Sequence, residues 1–269
     1  SKIYGKNKMT INNTEFQTIL VEEDNYKLNV TLNRPDKKNA INSVMTNELL
    51  FLLDYASKNN SVRVIQISAN GDVFCAGGDL RSMSAQENNS IPNMNGSLAD
   101  VVKMMRSICK PIVCKIEGSV FAGALLLVCN ATHAYAVDTV KFCTPEIKRG
   151  IWPFMVMAGL FRTMNKRQGL DLIMRGEPIT AVEAENAGLI NKVFLKKDIC
   201  DYVDKIVTEL SLLPPKTMKT GLSAYYDQEF REFNSALDIL EKEITRSLTS
   251  EESSEGITAF LEKRDPKWD

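Results

Sequence analysis

Two short glycine-bearing stretches, a few dozen residues apart, carry the chemistry most open to this chain. They are Cys75-Ala76-Gly77-Gly78-Asp79-Leu80 and Gly118-Ser119-Val120-Phe121-Ala122-Gly123-Ala124. Each follows a strand-like apolar run and leads towards a helix-like one. With no Cβ in the way, Gly78 can offer its N–H to a ligand. Gly123, between Ala122 and Ala124, can offer an N–H at a helix start, where the helix dipole favours developing negative charge. Two such groups aimed at one carbonyl oxygen form an oxyanion hole, which would stabilise an enolate grown from a thioester. Plainer readings exist: Gly77-Gly78 as a tight turn, and Gly123 as close packing at a helix start. Their joint occurrence, each between strand and helix, favours the chemical reading. Downstream, Thr144-Pro145 leads into a lone acid, Glu146, which can move a proton or can be a solvated loop carboxylate.

The elements that must hold these residues follow from apolar period. Tyr26, Leu28, Val30 and Leu32 alternate with polar residues, as in a half-buried strand. Arg34-Pro35-Asp36 turns the chain. Asn42 or Ser43 can cap a helix with Met45, Leu49, Leu52, Leu53 and Ala56 on one face. Residues 62–68 and 111–116 read as strands covered on both faces, and 99–109 as a helix. Residues 84–96 are polar and read as a loop. The run 180–187 is a short helix closed by Gly188, and 192–194 a last edge strand. Helices are expected over 199–212, 214–226, 228–248 and 251–264, the third a long amphipathic one carrying Phe230, Phe233, Leu237, Leu240, Ile244 and Leu248. The alternation of strand and helix indicates an α/β fold. The chain divides into a core over residues 10–205, which holds the site, and a helical region over 206–269.

Composition narrows the function. Of the 269 residues, 44% are hydrophobic and 25% charged, as in an ordinary globular protein. A net charge of -1 gives no electrostatic case for nucleic acid. No apolar run reaches membrane-spanning length. Residues 1–13 are polar with no apolar segment of a secretory signal; Met9 would serve as a native start, leaving residues 1–8 as a remnant. Cys75, Cys109, Cys114, Cys129, Cys143 and Cys200 form no C-x-x-C pair and mostly lie in apolar runs, which suits buried thiols in a reducing cytoplasm. His133, the single histidine, has no cysteine at ligand spacing, so no zinc site is expected.

Arg34-Pro35-Asp36-Lys37-Lys38-Asn39-Ala40-Ile41-Asn42, then Phe74 to Leu80, then Lys110-Pro111 to Gly123, resemble the crotonase family, the enoyl-CoA hydratase/isomerase superfamily. The likeness continues through Thr144-Pro145-Glu146, Gly176, Ala181-Val182-Glu183-Ala184, Gly188-Leu189-Ile190, Glu255-Gly256 and Ala259 to Arg264. It covers nearly the whole chain from about Phe16. It implies a spiral of ββα turns with a C-terminal helical trimerisation region, a homotrimer or dimer of trimers, an acyl-CoA thioester substrate, and no metal or further cofactor. Gly78 and Gly123 match the positions whose N–H groups hold the thioester oxygen. Lys38, Ala40 and Ala76 match positions lining the CoA adenine and phosphates. Asp79, beside Leu80, is expected to fix the turn. Phe260 and Lys263 match positions that reach CoA on a neighbouring subunit, or they are one face of a packed helix.

The acids separate the branches of that family. Hydratases carry two glutamates, and at the first of these positions this chain has Leu126. Glu146 matches the second. A Δ3,Δ2-enoyl-CoA isomerase needs one carboxylate, which takes a proton from C2 and returns it at C4. Leu126 with Glu146, and Gly150-Ile151-Trp152-Pro153-Phe154, are similar to the mitochondrial isomerase branch. Apolar surroundings from Trp152, Phe154 and Leu126 should raise the base strength of Glu146. Trp152, Phe154, Met155 and Met157 line an acyl pocket or belong to the core. The alternatives are a hydratase working with one glutamate and a weakly active acyl-CoA-binding protein. Dehalogenase and hydrolase branches rank low, because His133 lies outside the matched catalytic positions.

Overall fold

The structure, a computed structural model, describes residues 11–79 and 90–268. Leu80, residues 1–8 and the first part of the polar loop (84–89) lie outside the described residues. The chain opens on an antiparallel pair, β1 (Ile19–Asp24) and β2 (Lys27–Leu32). Asn25 and Tyr26 between them have φ of 48° and 66°, the backbone that lets a two-residue turn follow the strand twist. Leu28, Val30 and Leu32 make the buried face as expected. Tyr26 does not: it belongs to the turn, and the Arg63 guanidinium lies 3.8 Å above its ring.

Helix α1 (Ser43–Lys58) starts at Asn42, whose side chain accepts the Met45 N–H at 3.0 Å. It is buried on all sides from Val44 to Leu53 rather than on one face. Its buried polar groups are satisfied: Asn47 donates to the carbonyls of Ile91 (2.8 Å) and Met94 (3.1 Å). Glu48 accepts from the Thr18 N–H at 3.0 Å and from the Thr18 hydroxyl and Gln17 N–H.

Three successive turns then share one plan. The first is β3 (Val64–Ala69), β4 (Val73–Cys75) and α2 (Leu98–Ser107). The second is β5 (Ile112–Ile116), β6 (Ser119–Phe121) and α3 (Ala124–Asn130). The third is β7 (His133–Val137), β8 (Lys141–Cys143), a 3-10 turn at Pro145–Arg149 and α4 (Val156–Thr163). Each turn gives its first strand to a large sheet and its second to a small one, which winds the chain into a ββα spiral. Helix α5 (Lys166–Arg175) follows, then β9 (Ile179–Thr180), α6 (Ala181–Asn186), β10 (Lys192–Phe194) and α7 (Ile199–Ser211). The large sheet has the order β1-β2-β3-β5-β7-β10, parallel from β2 onward. The small sheet runs β4-β6-β8-β9, with only β9 antiparallel.

Helix α7 packs across β2, β3, β5 and β7. That cover explains four consecutive buried residues in β3, where a one-sided sheet would alternate. Phe74 and Phe142 of the small sheet and Leu28, Leu32, Ile65, Ile112 and Ile116 of the large one are fully buried, each stabilising the fold by about 1.5–3 kcal/mol. Gly118 makes the β5–β6 corner. A Cβ there would lie 2.6 Å from the Phe74 N and 2.7 Å from the Asp72 carbonyl oxygen.

The C-terminal helices are α8 (Pro215–Gln228), α9 (Phe233–Ser247) and α10 (Glu251–Glu262). The single helix expected over 228–248 is a correction. Helix α8 ends at Gln228, and α9 restarts where Glu232 accepts the N–H groups of Asn234 (3.0 Å) and Ser235 (3.3 Å). Glu229 at the break pairs with Arg106 (2.5 Å) and Arg162 (3.6 Å), tying α8 to α2 and α4. Buried Glu252 accepts the Lys216 and Thr217 N–H groups at 2.9 and 2.6 Å, so α10 closes the start of α8. The division at residue 205 falls inside α7. Among the described residues, no helix is long and apolar enough to cross a membrane.

Candidate active site

Strands β4, β6 and β8 lie side by side and parallel, with Cys75 beside Val120 and Phe121 beside Cys143. The segments that carry Gly78, Gly123 and Glu146 therefore leave the same end of one sheet, the carboxyl end, where parallel α/β sheets bind ligands. The two glycine turns are in backbone contact. Gly77 has φ of 91°, and a Cβ on it would lie 2.7 Å from the Ala122 Cβ and 3.0 Å from the Gly123 N. A Cβ on Gly123 would lie 3.8 Å from the Gly78 N, and one on Gly78 would meet nothing within 4 Å.

What frees these amides is visible next to them. The Ile41 N–H donates to the Gly77 carbonyl and the Asp79 N–H to the Ile41 carbonyl, both at 2.8 Å. Gly78 sits between those two bonds. Among the described residues neither its N–H nor that of Gly123 has a backbone acceptor. Ala122 holds φ of 54° while its N–H donates to Cys143 at 2.9 Å. A non-glycine residue there stores about 1–3 kcal/mol of strain, and this bond to β8 helps to hold it.

Residues 34–40 buttress the first turn. Arg34 pairs with Asp79 at 3.3 Å and donates to the Ala40 carbonyl at 2.5 Å. Fully buried Asn39 donates to the carbonyls of Asn70 (2.8 Å) and Val73 (2.9 Å) and accepts the Arg34 N–H at 2.7 Å. The Ala76 N–H donates to the Lys38 carbonyl at 3.0 Å. Lys38, Ala40, Ala76 and Asp79 are thus brought together, with the Lys38 side chain exposed.

Glu146 stands on the 3-10 turn that follows β8. The C-terminal end of α5 grips this turn. The buried Thr144 hydroxyl donates to the Leu172 carbonyl at 3.2 Å, and the Cys143 thiol to that of Gly176 at 3.3 Å. One carboxylate oxygen of Glu146, Oε2, is buried without a hydrogen-bond partner. Burial pushes its pKa above the ordinary glutamate value, partly offset by its own N–H and by Arg149.

The other expected residues divide. Leu126, 3% exposed, lies one turn along α3, where its N–H donates to the Gly123 carbonyl at 3.1 Å. Trp152 donates to the Met157 sulfur at 3.3 Å, and both side chains pack on the core. Phe154 is 71% exposed and Met155 51%, so Phe154 is not the group that desolvates Glu146. Phe260 is 82% exposed on α10, and Lys263 caps that helix at φ 56°. His133 meets the Thr132 hydroxyl through Nδ1 at 2.9 Å, and burial holds its pKa down. The six cysteines are unbridged, and burial pushes Cys75, Cys114 and Cys129 up to about 12, which keeps them protonated and inert. No group of three or more metal-ligating side chains occurs among the described residues. Sequence reasoning missed the roles of Asn39, Thr144 and the strained Ala122. The only signal for them was their place next to the glycines and the acid.

The winding of the chain is that of the crotonase-like spirals, the class of fold this architecture defines. A solved enoyl-CoA hydratase of Mycobacterium smegmatis superposes with a TM-score of 0.86 at 25% identity, over 94% of this chain and 99% of that one. The family model described as enoyl-CoA hydratase/isomerase matches residues 23–269, and the chain belongs to that family of enzymes. Its relatives fall on both sides of the name. Enoyl-CoA hydratase domain-containing protein 3, mitochondrial, of Rattus norvegicus is 28% identical over 89% of this chain and 80% of its own length. The trans-2-decenoyl-[acyl-carrier-protein] isomerase of Streptococcus mutans is 29% identical over 94% and 98%.

Proposed function

We propose that the protein moves the double bond of a 3-enoyl-CoA into conjugation, with Glu146 as the single proton carrier. The observation that carries this reading lies at one end of the small sheet: among the described residues, a buried carboxylate oxygen without a hydrogen-bond partner and two glycine amides without a backbone acceptor. The thioester oxygen accepts from the Gly78 and Gly123 N–H groups. The Glu146 carboxylate takes a proton from C2. The C–H electron pair moves into C1–C2, and the charge rests on the oxygen as a dienolate. The carboxyl then gives its proton to C4, the electrons return from oxygen, and the double bond lies between C2 and C3. Each amide contributes about 3–4 kcal/mol to holding the dienolate. Desolvation strengthens the base, since a raised pKa brings it closer to the acidity of the C2 proton.

Leu126 supports this reaction over hydration. Adding water across a 2-enoyl-CoA uses one carboxylate to activate the water and a second to place the proton. A buried leucine at the start of α3 supplies neither. Lys38, Ala40 and Ala76 would receive the CoA moiety, with Trp152 near the acyl chain and Asp79 fixing the turn through Arg34. No cofactor enters the scheme. Phe260 and Lys263 would reach a CoA held by a neighbouring copy in a homotrimer or a dimer of trimers. Supporting that assembly, Phe233, Leu237, Ile244 and Leu248 expose one apolar face of α9. Reduced cysteines favour a cytoplasmic location, although the rat relative's name is mitochondrial.

The test is a pair of absorbance assays with 3-enoyl-CoA and 2-enoyl-CoA. The proposal expects rapid conjugation of the first and slow or absent hydration of the second. Hydration that outruns conjugation would assign the hydratase reaction, and binding of both esters without turnover would leave a carrier.

A further inference from the structure

The opposite end of the large sheet holds a cavity of about 200 Å³ between the end of α1, the starts of β3 and β5, and the start of α8. Four of its lining residues are cationic: Arg63, Lys110, Lys216 and Lys219. None of its lining residues is acidic. We propose that this cavity is a binding site for a compact oxyanion such as phosphate or pyrophosphate, separate from the acyl site.

The charges in the cavity are poorly balanced. Lys110 is anchored, its ammonium donating to the carbonyls of Ala56 (2.5 Å), Asn59 (2.9 Å) and Val62 (2.6 Å). All three protons are used, so Lys110 supplies field rather than contact. Arg63 donates one N–H to the Trp268 carbonyl at 3.2 Å and stacks on Tyr26, but its Nε is buried with no partner. Lys216 reaches Glu251 at 3.3 Å on the surface. Lys219 has no carboxylate within ion-pair distance among the described residues. A second acid beside the start of α8, Glu252, is committed to the N–H groups of Lys216 and Thr217. Burial and the neighbouring Lys219 charge together lower the Lys110 pKa to about 8. Like charges in a partly enclosed space repel strongly, and a bound dianion relieves that repulsion. The ammonium of Lys219 is the donor it would meet, and the Arg63 guanidinium, which lines the cavity, adds positive charge beside it. The volume is below the roughly 300–1,000 Å³ of ordinary small-molecule pockets. That restricts the occupant to a small anion or to the terminal phosphate of a larger molecule.

The experiment is thermal denaturation of the whole protein at constant ionic strength, with chloride exchanged for phosphate, pyrophosphate or a nucleoside diphosphate. Wild type is compared with Lys219→Gln and Arg63→Gln. Binding to the folded state raises the melting temperature with the logarithm of anion concentration. Preferential exclusion of phosphate raises it for any protein, so the difference between wild type and variant is the readout. Without anion, Lys219→Gln should melt above wild type, because the repulsion with Lys110 is gone. It should also lose at least about tenfold in pyrophosphate affinity. If Arg63→Gln does not fold, Lys219→Gln carries the test alone. A gain with the nucleoside diphosphate equal to that with pyrophosphate supports the site and assigns it to a terminal phosphate. A gain with free pyrophosphate alone supports the site and assigns it to the inorganic anion. Equal gains in wild type and Lys219→Gln, or no gain beyond chloride, would overturn the proposal.

Discussion

Glu146 keeps a buried carboxylate oxygen that nothing among the described residues satisfies, a state that disfavours its ionised form. Its folded pKa is raised, so the folded state prefers the proton. The stability this gives is full below the ordinary glutamate value of about 4.3 and is lost as pH rises through the raised value. Two outcomes follow. Glu146→Gln, neutral at every pH, should melt above wild type at neutral pH, and the gap should close as pH falls towards that ordinary value. For the wild type, kcat/KM for conjugation should fall on acidification at a pH above the usual carboxylate range, because the base must be ionised. A melting difference independent of pH would contradict the assignment. Gly123→Ala probes the other half. Its methyl would meet only the end of Leu98 at 3.3 Å and would sit 3.8 Å from the Gly78 N. Folding should therefore survive while conjugation drops, because the methyl crowds the oxygen held between the two amides even though the N–H itself remains. Gly77→Ala differs, because its methyl would lie 2.7 Å from the Ala122 Cβ and 3.0 Å from the Gly123 N at φ of 91°. Urea denaturation should show a large loss of stability there. The glycines and the acid were legible in the sequence because a missing Cβ and a charge are written in residue type. The φ of Ala122 and the hydroxyl bond of Thr144 were not, since both depend on what lies across the sheet.

The three parallel strands of the small sheet decide where the site forms, and they were among the least legible elements. β4, β6 and β8 have three residues each, too few for a period to show. Longer elements were readable. The alternation before Leu32 and the continuous run of β3 both report how many faces are covered. The amphipathic period of α9 was clear as well, but the same apolar spacing ran through the break at residues 229–232. There α8 ends at Gln228, and the capping carboxylate of Glu232 starts the next helix. Gly118 is the hinge of this arrangement. Gly118→Ala would push against the Phe74 and Asp72 backbone, atoms that cannot step aside, and should destabilise by more than about 2 kcal/mol in urea titrations. Thr144→Ala removes the bond between the Glu146 turn and α5. A stability loss of about 0.5–1.5 kcal/mol with a larger fall in kcat than in KM would mark Thr144 as a positioning residue. Equal changes in both constants would make it merely structural.

Taken whole, the molecule presents an enclosed spiral core and a C-terminal layer whose apolar side chains face outward. Phe230, Phe233, Leu237, Ile244 and Leu248 are all more than half exposed, more than scattered surface apolar residues require. Sedimentation should therefore find an assembly of identical chains, and Leu237→Lys with Ile244→Lys should reduce it to a smaller species. A monomeric wild type would remove the proposed role of Phe260 and Lys263. The reaction itself depends on a single acid. Its most direct test is conjugation of 3-enoyl-CoA by purified Glu146→Gln beside wild type, with ester binding measured on the same samples. Retained binding with conjugation lowered by about 10²–10⁴-fold is the expected result, and undiminished turnover by the variant would contradict it.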